Sequence, residues 1–221
     1  MDREKRRIIA DSHALFAEVL KQIVEPEFDV VGVVGDGRVL VQNALTLRSD
    51  GIILEVSLPQ LNGFQAAEEI ARQSPTTKFV FVTANIDPAA AAEAFRRGAS
   101  AYVAKQSRLD EFLTTIPKVI CGESYLSPLI ARETMEYLLH PPRGTNPVKQ
   151  ITRRQSEILQ LLAEGKSMKE VAQMLDITPG TVAFHKYTVM EKLGIESNAE
   201  LLQFAMAKYF APTQWNWAIA V

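Results

Sequence analysis

The sequence has a single cysteine, Cys121, and no long uninterrupted run of apolar residues. One cysteine excludes an intramolecular disulfide and is typical of proteins kept in a reducing compartment. A membrane-spanning helix needs about 20 consecutive apolar residues, and the core of a signal peptide needs about 7 to 15. The charged N-terminus leads into an apolar run of only three residues, 8–10. We therefore expect a cytoplasmic protein with no membrane partner.

The sequence also lacks the short motifs of common enzyme classes. It contains no glycine-rich loop that could cradle a phosphate, no His-Glu-x-x-His metal motif, and no cysteine–histidine pair with supporting context. We predict from this that the protein is not an enzyme, has no catalytic residues, and needs no cofactor.

An excess of positive charge is missing as well. The 24 basic and 26 acidic residues divide into 17 and 19 before residue 150, and into 7 and 7 from that residue on. This balance argues against a general nucleic-acid coat, because such proteins attract phosphates through a basic surface. Any DNA binding must come from the local placement of a few residues.

The first half of the chain shows a regular alternation. Short apolar runs alternate with longer stretches whose apolar residues recur at helical spacing. Five such pairs predict a doubly wound α/β fold, with a five-stranded parallel sheet between two layers of helices. The predicted strands are 7–11, 30–34, 51–54, 78–84 and 101–104, and the predicted helices are 12–24, 38–47, 64–73, 88–97 and 109–120, the last interrupted at Pro117.

The second half has a different pattern. Residues 122–140 are expected to form one more helix, and the prolines and glycine of 140–147 mark an exposed linker. Only helices follow, at 152–163, 167–175, 178–193 and 197–208, each opened by a Ser or Thr in a capping position. We predict an α/β domain over 1–122, a helix and proline-rich linker over 123–149, an all-α domain over 150–210, and an apolar tail over 211–221 with Trp215 and Trp217.

Five polar residues follow the predicted strands of the α/β domain. Asp11 and Ser12 come after the first strand, Glu55 after the third, Thr83 within the end of the fourth, and Lys105 after the fifth. Alone, each has an ordinary explanation as a helix cap, a strand residue or a solvated charge. In a parallel sheet the functional crevice lies at the carboxyl ends of the strands. Their order along the chain therefore predicts one shared site.

These residues and their surroundings resemble the receiver domain of bacterial response regulators. The segments 8–13 (Ile-Ile-Ala-Asp-Ser-His) and 50–63 are similar to the family's first-strand and third-strand motifs, and Thr83-Ala84 and Lys105 match the later ones. Residues 151–194 resemble the LuxR-type helix-turn-helix. The order of the two parts is that of the NarL/FixJ class. The resemblance implies a flavodoxin-like receiver, an all-α DNA-binding domain, and a sequence-specific transcription regulator that acts on double-stranded DNA as a homodimer.

The receiver part departs from the family at two chemically decisive positions. Glu55 stands where the family has the phosphoaccepting Asp, and Ser12 stands where it has a second acid. Phosphotransfer needs an in-line carboxylate and a Mg²⁺ ion with strict octahedral geometry. Glu reaches about 1.5 Å further than Asp, and a displacement of about 1 Å can slow catalysis about 100-fold. We expect aspartyl phosphorylation to be lost or severely weakened, with at most a weak Mg²⁺ site at Asp11 and Glu55.

Three interpretations of the receiver remain open from the sequence. Glu55 could reach Lys105 and, with Thr83, hold the domain in an active-like state as a built-in mimic of the phosphorylated form. Alternatively, the receiver is only a platform for dimerisation or partner binding. The third interpretation is a conventional regulator that a histidine kinase, or another regulatory protein, controls at an unusual site. Tyr102 matches the aromatic residue that changes its exposure in switching receivers, although packing against neighbouring helices accounts for it equally well.

The helix expected at 178–193 corresponds to the one that enters the major groove in helix-turn-helix proteins. The resemblance implies that Ala183, Phe184 and Tyr187 reach base edges. Ala and Phe donate no hydrogen bonds but can contact thymine methyl groups, which predicts specificity through those methyls and DNA shape. Packing of Phe184 into the core is the alternative. The residues implied to meet the DNA backbone are Lys169, Thr178, Thr181 and Lys186.

The last predicted helix forms the dimer contact of the DNA-binding domains in this family. A twofold dimer would read two half-sites about 10 bp apart. A competing function is a protein-interaction adaptor whose helix-turn-helix no longer reads DNA. Two features favour it: the second domain has no excess of basic residues, and Ala183 stands where many relatives carry a charged residue.

Overall fold

A computed structural model of the chain describes residues 6–140 and 151–209, which form two compact units. The first unit holds the α/β part and the second the all-α part. Most of the predicted linker and the whole apolar tail, with Trp215 and Trp217, lie outside the described residues. Within the described ranges, no helix is both long enough and apolar enough to cross a membrane.

The first unit is built on a parallel sheet with strand order β2-β1-β3-β4-β5-β6. The central strands are apolar and buried along most of their length, as burial on both faces of a sheet requires. The doubly wound fold is therefore confirmed, with six strands in place of five. The strands are β1 Arg6–Ala10, β2 Asp29–Val34, β3 Gly51–Leu54, β4 Lys78–Thr83, β5 Ala101–Ala104 and β6 Tyr125–Leu126.

Helices cover both faces of this sheet. Helices α1 and α5 bury Leu20 and Phe112 on one face, while α2, α3 and α4 bury Leu40, Ile70 and Ala91 on the other. Pro117 lies inside α5 without ending it, so the predicted interruption was wrong. The helices of this unit are α1 Ala14–Val24, α2 Gly37–Leu47, α3 Gly63–Gln73, α4 Pro88–Arg96, α5 Leu109–Cys121 and α6 Pro128–Leu139.

The segment after α5 differs from the single helix predicted at 122–140. Gly122, at a φ of 110°, ends α5, and the two residues of β6 then pair with the edge of β5. Ser127 extends this pairing, because its hydroxyl accepts the Ala104 N–H at 2.9 Å and its own N–H donates to the Tyr102 carbonyl at 3.1 Å. Helix α6 begins only at Pro128. A two-residue strand leaves too little periodicity to separate it from the helix that follows.

The second unit contains the four helices that the sequence predicts. They are α7 Arg153–Ala163, α8 Met168–Met174, α9 Pro179–Leu193 and α10 Asn198–Tyr209. Thr152 and Ser167 form capping boxes, and the Thr178 and Ser197 hydroxyls accept N–H bonds in the first turns of α9 and α10. Val182 and Val189 are buried in the core, as expected for the inner face of α9.

Candidate functional site

Four of the five predicted receiver residues meet at the carboxyl ends of the strands. Asp11 and Glu55 are each only 3% exposed, and Thr83 is fully buried. The Lys105 Nζ lies 2.5 Å from Asp11 Oδ2 and 2.8 Å from Glu55 Oε2. One buried ammonium is therefore shared by two buried carboxylates, an arrangement that is stable only where further donors satisfy the remaining lone pairs.

The Glu55 carboxylate receives those further donors. Its Oε1 accepts the Thr83 hydroxyl and the N–H groups of Val56 at 2.7 Å and Ser57 at 3.3 Å. Its Oε2 accepts the Ala84 N–H at 3.1 Å as well as facing the lysine. Charge-assisted bonds of this kind are about twice as strong as neutral ones. Both oxygens of Glu55 are thus held by the protein itself.

A close backbone approach places the loop that follows Glu55. The Gly63 N–H donates to the Val56 carbonyl at 2.8 Å, at the start of α3. A Cβ atom at Gly63 would stand 2.2 Å from the Glu55 carbonyl oxygen, which no side chain can do. The glycine therefore allows the loop to fold back onto the end of β3, and so fixes where the Glu55 side chain starts.

Asp11 and Lys105 have additional contacts on α1 and its first turn. Asp11 Oδ1 accepts the His13 N–H at 2.9 Å, and the Lys105 Nζ lies 4.5 Å from the centre of the Phe16 ring. Together with the Ala84 N–H, these are groups that the sequence reasoning missed. Phe16 could have been found, because it lies in the first turn of α1, five residues after the strand-end acid Asp11. Backbone N–H donors leave no signal in a sequence.

Ser12 lies apart from these contacts and is exposed. The crevice also does not fit a Mg²⁺ ion, because the carboxylate oxygens that would bind the metal face Lys105 or backbone donors instead. Across the described ranges, no group of three or more His, Cys, Asp or Glu residues is placed to hold a metal ion.

Tyr102 is fully buried and is linked to the crevice through Asn85. Its hydroxyl donates to the Asn85 carbonyl at 2.7 Å, and the Asn85 N–H donates to the Thr83 Oγ1 at 3.0 Å. Burial is the main cause that raises the pKa of the Tyr102 hydroxyl, and the negative charge of Glu55 raises it further. The aromatic residue is therefore packed inward while Thr83 is bonded to Glu55.

In the second unit, α9 presents aromatic side chains on the face opposite its buried valines. Phe184 is 66% exposed and Tyr187 is 59% exposed, so the alternative that Phe184 packs into the core is wrong. Ala183 lies beside them, half-buried. Exposed aromatic rings on one helix face form a surface that can contact bases.

The residues expected to meet the DNA backbone differ in how exposed their side chains are. Lys169 is exposed on α8, and Thr178 is exposed at the N-cap of α9, where its Oγ1 accepts the Thr181 N–H at 3.1 Å. Thr181 is half-buried. Lys186 is only 9% exposed, and its ammonium lies 5.1 Å from the Tyr187 ring centre. Its side chain would have to turn outward to reach a phosphate.

The fold and both sites define a receiver domain joined to a LuxR-type helix-turn-helix, and comparison with known families agrees. Residues 8–117 match the response regulator receiver domain, and residues 149–205 match the bacterial regulatory proteins of the luxR family. The oxygen regulatory protein NreC of Staphylococcus aureus is 30% identical over 209 residues, which cover 91% of this chain and 96% of that protein. The chain therefore belongs to the DNA-binding two-component response regulators of the NarL/FixJ class.

Further relatives match nearly the whole length of the chain. The response regulator UvrY of Escherichia coli is 25% identical over 201 residues, which cover 90% of this chain and 92% of that protein. The structure of RcsB from Salmonella enterica serovar Typhimurium, bound to promoter P1flhDC in the presence of the phosphomimetic BeF₃⁻, matches with a TM-score of 0.60 and 26% identity. That match covers 93% of this chain and 100% of the RcsB chain.

Proposed function

We propose that this protein regulates transcription as a DNA-bound homodimer whose receiver acts without aspartyl phosphorylation, with Glu55 as a built-in substitute for the acyl phosphate. In the family, the acyl phosphate is held by the Thr hydroxyl and the Lys ammonium. The observation that carries the proposal is that the Glu55 carboxylate bonds to Thr83, the Ala84 N–H and Lys105 at once. The extra methylene of Glu places a negative group where those donors converge.

The same contacts disfavour phosphoryl transfer to Glu55. A nucleophilic carboxylate needs a free lone pair in line with the donor phosphorus. Both Glu55 oxygens already accept bonds, and the carboxylates that would bind Mg²⁺ face Lys105. A histidine kinase is therefore not required for activity in this proposal. Dimerisation and DNA binding would be intrinsic to the chain.

The rival interpretations give different responses to one experiment. DNA affinity and dimerisation of the purified full chain are measured by fluorescence anisotropy on a fragment selected from random-sequence DNA, and by sedimentation velocity. Both are repeated with Mg²⁺ and beryllofluoride. We expect a dimer that binds DNA equally well with and without the additives. A rise in affinity or dimerisation would support a conventional, phosphorylation-driven regulator.

Substitution of Glu55 separates the built-in mimic from the platform. Glu55→Ala should weaken DNA binding about tenfold, because coupling between sites is typically worth 5- to 150-fold in affinity. Glu55→Gln keeps the shape of the side chain but removes its charge. Its DNA affinity should lie between that of the unmodified protein and that of Glu55→Ala. Glu133→Ala, on the exposed side of α6, is the matched control and should change nothing. Unchanged dimerisation and DNA affinity in Glu55→Ala would favour the platform.

We infer further that α9 reads DNA through Ala183, Phe184 and Tyr187, with Lys169, Thr178 and Thr181 on the phosphates. The exposure of both aromatic rings opposite the buried valines supports this. Lys186 joins the phosphate contacts only if it swings out. Specific DNA retention at physiological salt separates this function from an adaptor that no longer reads DNA, since an adaptor would show no preference between sequences.

A further inference from the structure

The first unit has a cavity of about 340 Å³ at the end of its sheet opposite the Glu55 crevice. It opens at the amino-terminal ends of β1, β3 and β4, and the last turn of α5 closes one side. Its size falls at the lower end of the range for small-molecule sites, about 300 to 1,000 Å³. The lining that matters for its chemistry is Arg7, Ile53, Lys78, Val80, Val119 and Ile120.

Arg7 is the unusual member of this lining, because it is a cation that is only 6% exposed. Its guanidinium donates to the backbone carbonyls of Ile120 at 3.1 Å and Arg6 at 3.4 Å, and lies 4.5 Å from the centre of the Phe28 ring. A guanidinium has five N–H donors, so these neutral partners leave several without a bond. Burial is the main cause that lowers the pKa of Arg7.

Within the described ranges, no carboxylate forms an ion pair with Arg7. The acid that lines the cavity is Asp50, whose Oδ2 accepts the Arg6 N–H at 2.8 Å and so holds the start of β1. A buried charge is normally paired, because an isolated ion in a low-dielectric site is expensive. Asp50 is close enough for its negative charge to raise the pKa of Arg7 against the effect of burial, but the two side chains form no direct ion pair. Guanidinium donors therefore remain for a carboxylate that enters the cavity.

The rest of the cavity limits what that counter-ion can be. Exposed Lys78 adds a second cation at the mouth, which leaves one more positive than negative charge around the cavity. The walls behind the charges are the apolar side chains of Ile53, Val80 and Val119. Gly51 leaves room for the Arg7 side chain, since a Cβ there would lie 3.2 Å from the guanidinium carbon.

We propose that this cavity is a second ligand site, which binds a small organic monocarboxylate with an apolar body through Arg7. The carboxylate takes the free guanidinium donors, for which its planar geometry is suited, and Lys78 adds attraction at the rim. The apolar body fills the space against β3, β4 and α5. The site is separate from Glu55, so the proposal stands or falls independently of how the receiver is switched.

The test uses the purified full chain with methyl-labelled isoleucine and valine, titrated with benzoate and followed by NMR. Benzoate should shift the Ile53 and Val80 methyl resonances and saturate with a Kd of about 0.1 to 1 mM, a usual range for so small a ligand. Benzamide, which is neutral and of the same shape, should bind at least tenfold more weakly. Inorganic phosphate, which has no apolar body, should also bind more weakly than benzoate.

Variants distinguish the site from non-specific binding. Lys78→Gln changes an exposed residue, keeps the fold, and should weaken benzoate binding about threefold, since rim charges contribute little. Arg7→Lys keeps the positive charge but loses the planar pair of guanidinium N–H donors, and should weaken benzoate binding tenfold or more. Lys21→Gln, at a half-buried lysine of α1 that pairs with Glu25 in the same helix, is the control. Three outcomes would overturn the proposal. The Ile53 and Val80 resonances stay unshifted at 10 mM benzoate, benzamide binds as tightly as benzoate, or Lys78→Gln and Lys21→Gln have the same benzoate affinity.

Discussion

The receiver crevice and the exposed face of α9 hold their predicted functional residues in opposite physical settings. In the crevice, Glu55 is buried and bonded to partners within the same unit. On α9, Phe184 and Tyr187 stand exposed, where their partners would have to be another molecule. A substitution inside a crevice must be compensated by the chain, so its effect can be deduced from contacts. A substitution on a surface can be interpreted only with its ligand.

The largest expected effect comes from breaking the compensation in the crevice. Lys105→Met leaves Asp11 and Glu55 buried without their shared cation. Removal of one partner from a buried ion pair costs about 3 to 5 kcal/mol of unfolding free energy. Urea denaturation monitored by circular dichroism measures it. Lys118→Met, an exposed lysine on α5, is the control and should stay within about 0.5 kcal/mol.

A small loss of stability in Lys105→Met would mean that solvent takes the place of the shared cation beside the two carboxylates. The contrast between a self-contained crevice and an open reading surface would then be wrong.

A smaller loss of stability is expected at Ser127, which lies between β6 and α6 and bonds to the strand that precedes Lys105. Ser127→Ala leaves the Ala104 N–H without its acceptor, next to Lys105 in the chain. An unsatisfied buried donor costs about 1 to 3 kcal/mol. The same denaturation experiment measures the loss, with exposed Ser124→Ala as the matched variant. Equal stability of the two variants would show that water or a shifted backbone replaces the hydroxyl.

The smallest expected effect lies on α9. Thymine-to-uracil replacement removes one methyl group, and burial of such a group is worth about 0.8 kcal/mol, or about fourfold in affinity. Replacement at contacted positions should therefore weaken binding about fourfold each, measured by anisotropy. Phe184→Ala should abolish that discrimination while unfolding free energy changes by less than about 0.5 kcal/mol. An unchanged thymine preference in Phe184→Ala would place base reading elsewhere.

Much of the fold could be predicted from the sequence because periodicity records burial. The five long strands and the four helices of the second unit all appear at or near their predicted positions. Four of the residues that follow the predicted strands, Asp11, Glu55, Thr83 and Lys105, lie together in the structure. These predictions rest on patterns that extend over many residues, so errors of one or two positions do not change them.

The failures have a common cause. Strand β6 has two residues, and Ser127 acts through one hydroxyl on one backbone N–H, so neither produces a periodic signal. The contact of Lys186 with the DNA backbone stays a prediction, and its near-burial depends on how its flexible stem packs beside Tyr187. Ser12 was expected in the crevice from adjacency to Asp11, but successive residues after a strand need not point the same way.

Strand β6 also determines where a stable receiver fragment can end. A receiver fragment cut at residue 122 would lose the strand that pairs with Ala101 and Tyr102, and the hydroxyl that accepts from Ala104. The exposed edge of β5 would then offer unpaired hydrogen-bonding groups to any other strand, which is how sheets aggregate or exchange segments. A fragment that runs through Leu139 keeps that edge covered.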